Sequence, residues 1–149
     1  MSGIEKGEVL IKEIKSLLLP RKEIMLAYLY GSCAKGTSLP YSDVDIAILL
    51  DENISVEEGP YGYRAELLAI LMKALRTNRI DLTILNDAPP FLKFQVIRYG
   101  RGILIRSEAK RIDFHVKTIA KYNDVKRLLD TQHQYLSKRL KNGTYGKGW

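Results

Sequence analysis

Two short apolar runs, Met25–Tyr30 and Val44–Leu50, flank a stretch rich in Gly, Ser, Thr and Pro, and no helical period separates them. Runs of this length, closed by turn residues, read as buried strands. A third, Ile80 to Leu85, ends at Asn86-Asp87-Ala88-Pro89-Pro90, and Ile103 to Ile105 reads as an edge strand. Helical periods fill the remainder. Val9, Leu10, Ile14, Leu17 and Leu18 recur at helical spacing up to Pro20, which predicts an amphipathic helix over 8–19. Gly59-Pro60 opens a stretch in which Leu67, Leu68, Leu71, Met72 and Leu75 line one helical face. Pro90, Phe91, Phe94 and Ile97 predict a short helix ended by Gly100 and Gly102. From Ser107 the pattern is helical for about thirty residues, with Ile112, Val116, Ile119, Tyr122, Val125, Leu129, Leu136 and Leu140 on a drifting apolar stripe. Strands outnumber what a repeated βαβ unit predicts. The expected architecture is therefore α/β (α+β): a mixed, largely antiparallel sheet flanked by helices, with a long C-terminal helix.

At 149 residues the chain fits one domain, with residues 1–106 as its core and 107–149 as a basic helix and tail of the same unit. Hydrophobic residues at 46% and charged residues at 28% exclude wholesale disorder. Cys33 is the single cysteine, which excludes an internal disulfide and an all-cysteine metal site. Glu5, Lys6, Glu8, Lys12 and Glu13 stand where a signal peptide needs an apolar core. No apolar run approaches the roughly 18–20 residues that cross a bilayer, so a cytoplasmic location is expected. The formal net charge of +7 is uneven: residues 1–106 carry +1 and residues 107–149 carry +6. That last third reads as a solvated helical face or as an arm that docks an acidic partner or nucleic acid.

The stretch that carries chemistry runs from Gly31 to Asp45. Gly31-Ser32 ends one strand, ten residues intervene, and Asp43 and Asp45 open the next. Residues i and i+2 of a strand point to one face, so both carboxylates are aimed the same way. Two carboxylates at one point repel unless a cation lies between them, and hard oxygen ligands favour Mg²⁺ or Mn²⁺. Asp81 interrupts an apolar run at the start of the third strand, where a charge is costly unless it faces the same cation. Three carboxylates on adjacent strands suit two-metal phosphoryl transfer, with ions roughly 3.5–4 Å apart. On the other side, Gly31 lets backbone approach a phosphate, Ser32 and nearby N–H groups donate to its oxygens, and Lys35 offers a point charge.

Gly-Ser, ten residues, Asp-x-Asp and a later strand Asp together resemble the signature of the DNA polymerase β-like nucleotidyltransferase superfamily. Leu-Tyr-Gly-Ser leading to Ser-Asp-Val-Asp-Ile-Ala is most similar to the minimal nucleotidyltransferase (MNT) domain proteins, over about residues 8–106. Cys33 and Lys35 stand where that family often carries Arg. The resemblance implies a polymerase β-like fold that transfers AMP from Mg·ATP to a hydroxyl and releases pyrophosphate. Asp43 and Asp45 would hold both Mg²⁺ ions. Asp81 would bind the one nearest the acceptor and help deprotonate it, and Gly31, Ser32, Lys35 and Ser42 would contact the nucleotide. For the MntA-like antitoxins of HEPN/MNT toxin–antitoxin pairs, the acceptor is a tyrosine of the HEPN-domain toxin, which also implies a hetero-oligomer.

Blander readings stand beside these. Asp43 and Asp45 alone would be solvated turn residues, and Ser42 equally a turn residue bonded to its own backbone. Asp81 alone would be a solvated residue at an edge-strand start. Cys33 reads as a small buried residue, and His115 and His133 as surface or packing residues. Tyr28, Tyr30 and Tyr99 are expected to pack, while Tyr41 and Tyr61 flank the cleft and are placed to meet a nucleobase. The residues leave open a small-molecule nucleotidyltransferase and a catalytically silent antitoxin or RNA-binding module.

Overall fold

The computed structural model describes residues 3–31, 43–55 and 62–142. Its elements follow the expected order: α1 (Gly3–Leu18), β1 (Ile24–Tyr30), β2 (Val44–Leu50), α2 (Tyr63–Leu75), β3 (Ile80–Ile84), α3 (Pro90–Tyr99), β4 (Arg101–Ile105) and α4 (Glu108–Lys141). Several bounds differ from the sequence reading, including the start of β1 at Ile24 and the end of α1 at Leu18. The first helix begins at Gly3, Leu85 belongs to a single 3-10 turn (Leu85–Asp87) rather than to β3, and the last strand starts at Arg101. Leu85 leaves the strand because Asn86 bonds across to β2, its side chain accepting from Leu50 N–H at 2.8 Å and donating to Leu50 C=O at 2.9 Å.

The four strands form one sheet in the order β3-β2-β1-β4. β1 pairs antiparallel with β2 and β4, while β2 and β3 are parallel. The mixed, mostly antiparallel sheet is thus present. Its two faces divide by the two-residue alternation of strands. Ile24, Leu29, Ile46, Ile48, Ile80 and Leu82 pack with Ile14 and Leu18 of α1 and Leu67 and Leu71 of α2. Leu26, Tyr28 and Ala47 turn the other way, toward Leu85, Val96 of α3 and Phe114 of α4. Helices therefore cover both faces.

α1 is tied down at its C-terminus by Arg106, just past β4. The guanidinium donates to Leu19 C=O at 2.7 Å, Arg21 C=O at 2.9 Å and Ile24 C=O at 2.6 Å. The guanidinium thereby bridges the turn that leads from α1 into β1.

α4 departs from the expected single stripe. Phe114, His115, Thr118 and Tyr122 are its inward side; Tyr122 stacks on Phe94 of α3 with ring centroids 3.8 Å apart, and Tyr28 Oη and His115 Nε2 share a 2.9 Å hydrogen bond. Ile112, Val116 and Ile119 fall on the opposite side and are exposed. Val125, Leu129, Leu136 and Leu140 continue the inward side by steps of three, four and seven, yet Leu129 is 58% exposed and Leu140 61%. At 1.5 Å per residue, 34 residues span about 51 Å, more than twice a seven-residue strand. The helix outruns the body that would bury it. Tyr99, expected to pack, is exposed at the end of α3, where Arg98 lies 5.3 Å from its ring. Among the described residues no helix is long and apolar enough to cross a membrane.

Candidate active site

Antiparallel β1–β2 and parallel β2–β3 pairing brings the end of β1 and the starts of β2 and β3 to one edge of the sheet. Tyr30 is the register partner of Asp45, and Asp45 is the partner of Asp81. Register partners project to the same face, so these three side chains form one row across three strands. The face is the one bearing Tyr28 and Ala47, toward α3 and α4. Asp43, two residues before Asp45, shares its direction. Thr83, two beyond Asp81, meets the row as well: its Oγ1 lies 3.0 Å from Tyr30 Oη.

The charges on this edge repel. Burial pushes the Asp45 carboxyl above the ordinary aspartate value, and Asp81 and then Asp43 push it further the same way. The Tyr30 phenol is raised chiefly by burial, with Asp45 and Asp81 adding to the effect and Thr83 and Arg64 opposing it. Gly31 closes the site from the β1 side. Its φ is +74°, and a Cβ built there would fall on Asp45 Oδ2. Only glycine combines that left-handed turn with room for the carboxylate.

The structure sets Gly31 against Asp45 and places Asp43, Asp45 and Asp81 along one face of the sheet edge. Ser32, Lys35 and Ser42 lie outside the described residues, as do Cys33, Tyr41 and Tyr61. One participant escaped the sequence reading. Arg64, in the first turn of α2, donates from Nη2 to Asp81 Oδ1 at 2.9 Å and from Nε to Leu82 C=O at 2.6 Å. It reaches around the outer edge of β3. A cation in the first turn of a helix opposes the helix dipole, and that misplacement was the available signal.

Among the described residues, no three carboxylate, imidazole or thiolate groups are gathered as a cation site, and Asp81 is paired with Arg64. The donor set itself fits Mg²⁺ or Mn²⁺: hard oxygens only, on one face, with Asp45 under uncompensated repulsion. A cleft of about 580 Å³ opens elsewhere, where Leu50 and Asp51 at the far end of β2 meet Lys93, Phe114, Lys117 and Lys121. The lysines of that cleft are interspersed with Asp51, Glu52 and Asp113, Lys117 lying 2.9 Å from Asp113.

The family model described as Polymerase beta, Nucleotidyltransferase matches residues 12–109. The protein adenylyltransferase MntA of Shewanella oneidensis is 33% identical over 111 residues, 74% of this chain and 75% of that protein. Among solved structures, a toxin–antitoxin with AMP-PNP superposes with a TM-score of 0.66 at 29% identity, covering 87% of this chain and 97% of the other. The tri-AMPylated S. oneidensis HEPN toxin in complex with MNT antitoxin gives a TM-score of 0.61 at 27% identity, covering 90% and 98%. An aspartate row at the edge of a mixed sheet, a glycine turned against it and these likenesses lead to one conclusion: the chain belongs to the polymerase β-type nucleotidyltransferase family, alongside the protein adenylyltransferase MntA.

Proposed function

We propose that this chain is the antitoxin of a toxin–antitoxin pair and transfers AMP from ATP to a tyrosine hydroxyl of a HEPN-domain toxin in the cytoplasm. The observation that carries the reading is the in-register pair Asp45 and Asp81, with Asp43 beside them and Gly31 turned to leave Asp45 room. Asp43 and Asp45 are the residues to hold divalent cations, and Asp81 is the third carboxylate, nearest the acceptor. Bound Mg²⁺ supplies charge neutralisation for the triphosphate and for the departing pyrophosphate. Gly31, Ser32, Lys35 and Ser42 orient the phosphates. The tyrosine oxygen attacks the α-phosphorus, the bond to the β-phosphate oxygen breaks, and the phenolic proton passes to Asp81. Residues 1–106 carry this chemistry, and 107–149 form the arm that docks the partner. What supports the docking role is the run Leu129, Leu136 and Leu140, exposed on a helix with a basic C-terminal turn of Lys138, Arg139 and Lys141.

The test is co-expression with the cognate toxin and intact-mass analysis. Wild type should add AMP to the toxin, and the Asp43→Asn, Asp45→Asn double variant should bind the toxin without modifying it or protecting cells. Full protection by the double variant would refute transfer and leave neutralisation by contact, to which the exposed α4 seam is suited.

A further inference from the structure

The Arg64–Asp81 pair sets the problem. Arg64 occupies a helix position that disfavours a cation, and its side chain is 49% exposed, so neither packing nor the dipole accounts for it. Its two partners do. The Nε bond to Leu82 C=O fixes the guanidinium at β3, the edge strand of the sheet, and the Nη2 bond pairs it with Asp81. Asp45, the register partner of Asp81, feels Asp81 and Asp43 only as repulsion.

We propose that Arg64 is a positioning residue that holds Asp81 in an ion pair until a divalent cation takes its place. The proposal rests on the cation-binding reading above. Arg64 offsets part of the Asp81 charge, which Asp45 nonetheless feels as repulsion. When the cation binds, Asp81 exchanges an exposed ion pair for a metal bond, and the two are in competition. The fixed Nε anchor keeps the guanidinium close at hand, so the exchange needs only a side-chain rotation of Asp81. The third ligand is thereby recruited last.

The measurement is Mn²⁺ binding to the nucleotide-free protein, followed by electron paramagnetic resonance of free Mn²⁺. Removing a competitor tightens binding, so Arg64→Gln should lower the Kd by about 1.5- to 5-fold, the span of an exposed ion pair. Arg64→Lys keeps the charge and should restore most of the wild-type Kd. In an Asp81→Asn background, Arg64→Gln should have no effect, because Arg64 acts through Asp81 and not through its general field. An equal tightening in both backgrounds would overturn the proposal, as would unchanged or weaker binding by Arg64→Gln. A wild type that binds no Mn²⁺ would remove the cation-binding reading itself. Loss of binding in Asp45→Asn with no effect of Arg64→Gln would remove only the role of Arg64.

Discussion

Gly31→Ala separates the two demands that the site places on that residue. The first is backbone: φ of +74° lies in the left-handed region, which costs an L-residue about 1–2 kcal/mol. The second is local. The new Cβ meets Asp45 Oδ2, so the carboxylate must leave its rotamer, at about 0.5–1.5 kcal/mol. Against these, alanine stiffens the unfolded chain and returns about 0.4–1 kcal/mol. The net loss should be about 1–2 kcal/mol, a drop of about 3–6 °C in melting temperature for a chain of this length. Urea unfolding in the presence of EDTA reads it directly. Asp45→Ala removes the obstructing carboxylate, so in that background Gly31→Ala should lose its local part and cost about 1 kcal/mol or less. The reasoning is refuted if Gly31→Ala costs the same in both backgrounds. In the otherwise wild-type protein it should also weaken Mn²⁺ binding, since the displaced carboxylate is a proposed ligand.

Two further outcomes follow from contacts away from this edge. Arg106→Ala should cost about 2 kcal/mol in urea unfolding, because one guanidinium bonds several carbonyls at the end of α1, and Arg106→Lys should recover less than half since an ammonium lacks the planar fork. His115 has its pKa lowered, first by burial and then by Arg111, with Glu108 opposing. The fold therefore favours neutral His115; its contribution is present above the unfolded value of 6.5 and declines as pH falls below it. His115→Gln should flatten that part of the stability–pH curve, and a steeper decline in the variant would contradict the assignment.

The sequence by itself determined the local periods and the one-dimensional spacing. Apolar runs fixed which residues are strands, and the two-residue alternation fixed that Asp43 and Asp45 share a face before any sheet existed. The order of elements was likewise legible, since Gly, Pro and Asn mark its breaks. What the spacing cannot contain is which strand lies beside which. That Asp81 stands level with Asp45, and Tyr30 level with both, follows from parallel β2–β3 and antiparallel β1–β2 pairing, which the whole sheet decides by burying two faces at once. The partners of Arg64 were hidden for the same reason: Asp81 and Leu82 come from the next strand and are reached around an edge. On α4 the periodicity was genuine and its meaning was tertiary. An apolar seam predicts burial only where something is near enough to bury it, and beyond Tyr122 the helix has passed the end of its own sheet, so Leu129, Leu136 and Leu140 remain at the surface.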